Sequence, residues 1–169
     1  MHAIEVVETE RLVLRPPAES DLADLIDMHA DIRVMKTLGG PQEADQVQDA
    51  LIESQEHWDA HGFGHWVVRR RSDERFLGRC ALRRVEVDGA DEVEIGWAIR
   101  ADDQRLGYAT EAARALLPIA FETLDLPDLV SFTLPFNHAS RRVMEKLGFE
   151  YEKDCSYKTF PHVLYRLTK

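Results

Sequence analysis

The run Gln104-Arg105-Leu106-Gly107-Tyr108-Ala109-Thr110 joins a strand-like alternation to a helix-like stretch, and it has the make-up of an anion grip. A helix start leaves several backbone N–H groups without partners and carries partial positive charge. Small residues such as Gly107 and Ala109 let a phosphate approach those groups, with the Thr110 hydroxyl beside them. The alternative is a plain helix N-terminus after a tight turn, with Glu111 complementing the dipole. The run lacks the Gly-Lys-Ser/Thr of a P-loop and the three glycines of a dinucleotide fingerprint. His57, His61 and His65 recur at metal-ligand spacing, but Gly62 and Gly64 break the helix before His65. No carboxylate completes a compact site, so no metal is expected. Cys80 and Cys155 stand outside any CxxC and read as packed thiols in a reducing cytoplasm.

Those groups need elements to hold them. Thr9–Arg15 alternates Leu12 and Leu14 against Arg11, Val13 and Arg15, which predicts a half-buried strand ended by Pro16 and Pro17. Ser20 is expected to cap a helix with Leu22, Leu25, Ile26 and His29 on one stripe. A second helix is expected from about Glu43 to His61. Strands follow at His65–Arg70, Arg75–Val87 and Val93–Arg100, joined by polar turns as an antiparallel meander. The Arg69–Arg71 charge run reads as a solvated turn. A long helix is expected from Tyr108 to Leu124, kinked at Pro118 with the Arg114 carbonyl released. Then come a strand at Leu129–Leu134, a helix capped by Asn137 and ended at Gly148, and strands at Tyr151–Ser156 and His162–Leu167. The order β α α β β β α β α β β describes a mixed α/β sheet of about seven strands with about four helices on its two faces. One parallel crossover spans Val93 to Leu134.

Composition narrows the classes. The chain has 169 residues, 21 Lys plus Arg and 31 Asp plus Glu, for a net charge of −10. A chain this long buries about 70% of its unfolded surface, so one domain over residues 1–169 is expected. The acidic balance disfavours a nucleic-acid binder. The longest apolar run, Ala115–Phe121, is far short of the about 20 residues of a bilayer span. The acidic start MHAIEVVETE has no apolar signal core.

The motif Gln104-x-x-Gly107-x-Ala109 resembles the Q/R-x-x-G-x-G/A loop of the GNAT superfamily of N-acetyltransferases. Three further segments resemble its RimJ/RimL-type branch: TERLVLRPPAESDLADL, EIGWAI and NHASRRVMEKLGF, in the family's order from Thr9 to Phe149. The resemblance implies a GNAT fold and acetyl-CoA as acyl donor. Its pyrophosphate would lie on the N–H groups of Arg105, Leu106, Gly107, Tyr108, Ala109 and Thr110, in the loop that Gln104 opens. Many relatives carry glycine where Arg105 stands. The pantetheine arm would pair with the edge carrying Ile95, Trp97 and Ile99, with a contact from Asn137. Pro135 fits such an opening, since it lacks an N–H and belongs where ladder pairing stops.

Within that resemblance Ser140 is the candidate acid for the departing thiolate. The tyrosine that many members place seven residues after the Asn is Met144 here, which cannot donate a proton. The other reading of Ser140 is a helix cap. Glu94 is the candidate base, acting through water, or else a solvated strand carboxylate. The implied reaction is direct attack of a primary amine on acetyl-CoA. A protein N-terminus leads as acceptor. A small amine (polyamine, amino acid or antibiotic), a non-catalytic CoA-binding regulatory domain and a phosphate-ligand module are the rivals. The first two helices, the Thr37–Pro41 connection and the last two strands would grip the acceptor. Trp58, Phe63, Trp66, Tyr157 and Phe160 are candidate lining or core aromatics. Glu43, Asp45, Asp49, Glu53 and Glu56 on the second helix favour a cationic amine. A monomer or homodimer is expected, with no nucleic acid and no membrane.

Overall fold

The computed structural model describes residues 5–169; residues 1–4, which begin the acidic N-terminal stretch, lie outside them. Strands β1 (Val7–Glu8), β2 (Leu12–Arg15), β3 (His65–Arg70), β4 (Phe76–Val87), β5 (Ala90–Ile99), β6 (Asp128–Thr133), β7 (Glu150–Tyr157) and β8 (Phe160–Thr168) form one sheet. Its order is β1-β2-β3-β4-β5-β6-β8-β7. All pairs are antiparallel except β5 with β6, which is parallel and registers at a single pair, Glu94 opposite Val130. The helices are α1 (Leu22–Ala30), α2 (Ile32–Met35), α3 (Ala44–His61), α4 (Tyr108–Pro118) and α5 (His138–Lys146). This is a mixed α/β sheet with eight strands and five α-helices among the described residues, one strand and one short helix more than the sequence pattern predicts.

Side-chain alternation sorts the sheet into two faces. Leu14, Trp66, Val68, Cys80, Leu82, Ile95 and Ile99 point to one face and are buried against Ala112, Ala113 and Leu116 of α4 and Met144 of α5. On the other face, Leu25, Met28, Val47 and Leu51 from α1 and α3 cover Val67, Phe76 and Ala98. A second apolar patch on that face, Val87, Val130, Phe132, Cys155 and Leu164, lies under no helix. Between the two patches the β4–β5 ladder presents Arg79, Ala81 and Arg83 against Ala98, Gly96 and Glu94. This polar gap is the site described below.

Two boundaries depart from the pattern. Ser20 is exposed and does not cap the first helix. Its neighbour Asp21 is fully buried and accepts from the Ala18 N–H at 2.8 Å. Asp21 also binds Arg15 at 2.7 and 2.8 Å and Arg69 at 2.6 Å, so Arg69 is a structural partner of α1 and not a solvated charge. Burial would raise the Asp21 pKa, but the two guanidinium groups and the Ala18 N–H outweigh it and hold it low. At Pro118 the expected kink takes another form: α4 passes into a π-type turn over Ile119–Thr123, where Leu124 N–H reaches Ile119 O at 2.9 Å.

Asp21→Asn is expected to lower the unfolding free energy by about 3 kcal/mol at pH 7 in urea denaturation, because it breaks a buried ion cluster. The difference from wild type should shrink as pH falls below the carboxylate range. A depressed pKa contributes stability above the unfolded value and loses it on acidification through the folded value.

Candidate active site

The Gln104–Thr110 loop has the backbone its residues predict. Gln104 Nε2 donates to Ile99 O at 2.9 Å and ties the loop to the end of β5. Arg105 sits at φ 64 and Gly107 at φ 84, both left-handed. That conformation suits glycine, and at Arg105 a non-glycine residue adopts it. Gly107 is the residue before α4, and Glu111 N–H is the one that closes back on Gly107 O, at 3.0 Å. The N–H groups of Tyr108, Ala109 and Thr110 precede that first helical bond and lie at the positive end of α4. Arg105, Leu106 and Gly107 are exposed.

Glu111 does not occupy this helix end. Its carboxylate turns back to the N-terminal strands, accepting from Thr9 Oγ1 at 2.6 Å, Arg11 N at 3.0 Å and Arg11 Nε at 2.6 Å. Burial would raise its pKa, but these donors lower it overall. Arg11 also donates to Leu106 O at 2.9 Å and stacks 4.5 Å over the Tyr108 ring. Arg11 therefore braces the loop from outside and draws the Glu111 carboxylate away from the helix end. Along the sequence Arg11 shows only as a polar-side strand residue, since its partner Glu111 lies 100 residues away.

Beyond Glu94 the β6-facing edge of β5, which carries Ile95, Trp97 and Ile99, has no further register partner. Ile95 and Ile99 are buried and Trp97 is half-buried. Across the opening, Asn137 caps α5 as expected, its Oδ1 accepting from Ser140 N at 3.3 Å. Asn137 Nδ2 donates to Thr133 Oγ1 at 2.9 Å and to Ser140 Oγ at 3.1 Å. The Ser140 oxygen is thus used as an acceptor, and its own proton remains available for donation.

Glu94 is not a solvated carboxylate. It is 6% exposed, and its Oε2 accepts from Arg83 Nε at 2.6 Å. Its Oε1 leans over Gly96, 3.4 Å from where a Cβ on that glycine would stand. Burial would lower the Arg83 pKa, but the Glu94 charge raises it overall. The Tyr157 ring lies 5.8 Å from the Arg83 guanidinium on the same face. Of the other proposed lining aromatics, Phe63 and Trp66 are core residues of the opposite face, Trp58 packs on Trp66, and Phe160 is exposed. The α3 acids Glu43, Asp45, Asp49, Glu53 and Glu56 all face solvent, while Val47, Leu51 and Ser54 face the sheet. Around Glu94 the ladder carries Arg79 and Arg83, with His29, His57 and His65 nearby.

Those histidines are held neutral by their surroundings. His57 uses both ring nitrogens on backbone, Nδ1 donating to Phe63 O at 2.8 Å and Nε2 accepting from Arg84 N at 3.2 Å. His29 donates from Nδ1 to Leu25 O at 2.7 Å. Burial, then the nearby Arg79 charge, pushes its pKa down to about 4. His65 is pushed well below its usual value by burial and by Arg79 and Arg83.

Comparison with known proteins agrees with this geometry. The family described as "Acetyltransferase (GNAT) domain" matches residues 11–150. The uncharacterized protein YkkB of Bacillus subtilis is 28% identical over 166 residues, 98% of this chain and 96% of that protein. The crystal structure of an acetyltransferase from Agrobacterium tumefaciens superposes with a TM-score of 0.86 at 29% identity, covering 100% of this chain and 97% of that one. The ribosomal L7/L12 α-N-protein acetyltransferase RimL, in complex with coenzyme A, has a TM-score of 0.82 at 16% identity, covering 97% and 98%. That last likeness is one of fold.

The histidines give a pH test. A group with a depressed folded pKa binds its proton more readily when unfolded, so stability is lost as pH falls from about 6.5 to about 4. For His29 the loss is on the order of 2 kcal/mol. His29→Gln should flatten that part of the stability–pH curve measured by urea unfolding, leaving the shares of His57 and His65.

Proposed function

We propose that this chain, which belongs to the GNAT acetyltransferase family and is an acyl-CoA-dependent N-acetyltransferase, moves an acetyl group from acetyl-CoA to a primary amine by direct attack. The observation that carries this reading is the opening of the sheet after the Glu94–Val130 pair, with a carboxylate on one side and a helix-borne hydroxyl on the other. GNAT enzymes use acetyl-CoA as donor. The residues present fit it: the left-handed Gly107, whose Cβ position meets only the flexible end of Arg11 at 3.3 Å, leaves the Tyr108–Thr110 amides open to a pyrophosphate. The unpaired edge at Ile95, Trp97 and Ile99 offers backbone groups to the amide-bearing pantetheine arm, and Asn137 stands across from it.

In the reaction the amine nitrogen forms a bond to the thioester carbonyl carbon and the carbon–sulfur bond breaks. Glu94 Oε1, left free by Arg83, takes the amine's proton directly or through a water. The Ser140 hydroxyl, at the positive end of α5, supplies a proton to the departing sulfur. Residues 1–169 form one catalytic domain in this reading, of the RimJ/RimL type that the segment order and the fold likeness to RimL support. A peptide α-amine is the first acceptor class, and the free thiols of Cys80 and Cys155 accord with a cytoplasmic enzyme.

Calorimetric titration with coenzyme A should give saturable heat, and its absence would sink the reading. Ser140→Ala is expected to lower kcat about 100-fold in a thiol-release assay with little change in acetyl-CoA affinity. Unchanged turnover would leave Ser140 as a cap alone. Glu94→Gln is expected to lower kcat/KM about 100-fold at neutral pH with the fold retained by circular dichroism.

A further inference from the structure

Arg79 has no role in the reaction above and, among the described residues, no carboxylate in ion-pair contact with it, the nearest charge of opposite sign being that of Glu94. It lies on β4 opposite Ala98, on the same face as Glu94 and half-buried. Its hydrogen bond is from Nε to His29 Nε2 at 3.4 Å. The other half-buried arginines among the described residues each hold a carboxylate or a carbonyl: Arg15 and Arg69 hold Asp21, Arg70 holds Asp73, Arg83 holds Glu94, Arg100 holds Asp103, Arg141 holds Pro135 O and Arg166 holds Glu92. A guanidinium has five donors in a fork that fits a carboxylate, and Arg79 spends one of them on an imidazole.

The surroundings of Arg79 are predominantly cationic or neutral. Facing Arg79 are Arg83, His29 and His65, with His57 and Tyr157 further along the gap, and the one carboxylate there, Glu94, is already bound by Arg83. Burial and the Arg83 charge, only partly offset by Glu94, bring the Arg79 pKa down to about 10, so it stays charged at neutral pH. Removing a charge from water without a counter-ion is strongly unfavourable. His29 fixes its direction: with Nδ1–H given to Leu25 O, its Nε2 accepts from Arg79 and leaves the outer guanidinium nitrogens unused.

Between Arg79 and Glu94 the floor of the ladder carries only small residues. The ladder pair Ala81–Gly96 separates them, and Glu94 leans over Gly96 toward the Arg79 end. A small zwitterion laid along this floor would bring its amine to Glu94 Oε1 and its anionic end to Arg79.

We propose that Arg79, held by His29, binds a carboxylate of the acceptor, so that the preferred acceptor is an amine with a carboxylate a few bonds away. The carboxylate comes either from a free amino acid or from an acidic side chain near a peptide N-terminus. This rests on the acetyltransferase reading and reverses the cationic acceptor that the acidic α3 residues suggested.

The test compares matched acceptors in the thiol-release assay. Free amino acids are set against their carboxamides, and peptides beginning with Asp or Glu against those beginning with Asn or Gln. The acid member should have at least 10-fold higher kcat/KM, through KM, and the pair that shows it names the source. Arg79→Gln should cut the acid-to-amide ratio at least 10-fold, and Arg79→Lys should restore part of it. Equal use of acids and amides, or a ratio that Arg79→Gln leaves unchanged, would overturn the proposal while acetyl transfer stands. Should no amine turn over, the reaction reading falls, and anion binding is read separately. The coenzyme A-saturated protein is titrated with N-acetylated amino acids from glycine to glutamate, following the His29 imidazole by NMR. A shift in wild type that is lost in Arg79→Gln supports the site, and no shift in either overturns it.

Discussion

Strands β5 and β6 run side by side in the same direction and register at one residue pair, Glu94 opposite Val130. Everything proposed for this protein sits around that parting. A sheet that continued its ladder past Glu94 would satisfy every backbone group of β5 and leave no edge for a ligand. Because β6 pairs with β8 on its far side through Thr133, and Pro135 follows at once, the second strand is drawn away while β5 stays bound to β4. The opening is held by both flanking sub-sheets and so costs no loose loop.

The same parting orders the charges. An acidic chain would repel a polyanion if bulk charge decided binding, but the potential at a site is set within about one Debye length. At the α4 end, Arg11 draws the Glu111 carboxylate away from the helix N-terminus. On the opposite face the two charges of Arg79 and Arg83 meet the one carboxylate of Glu94 among neutral histidines. The acids at the start of and along α3 point to solvent and away from both places.

Much of the machinery was legible in the linear order because it is local. Asn137 and Ser140 are three residues apart, the spacing of a helix cap and the amide it accepts from, and the structure has that bond. The Gln104–Thr110 loop was readable from one glycine between a strand and a helix. Where the reading failed, partners were remote or the competing residue was adjacent. Ser20 looked like the better cap, but Asp21 had Arg15 and Arg69 to bury itself against. The Arg83 partner of Glu94, the candidate base, is hidden in the sequence because the two meet only across the β4–β5 ladder.

From the sequence alone came the element order, the mixed sheet, the family and the loop, cap and candidate acid, since periodicity, turn chemistry and short-range hydrogen bonding act within a few residues. Only the tertiary structure decided which charges are paired. It joined Arg11 to Glu111, gave Glu94 to Arg83 and left Arg79 with an imidazole in place of an anion. The reason is physical: a charge's partner is chosen by where sheet register and helix packing bring side chains together in a region poor in water, and that distance has no counterpart along the chain.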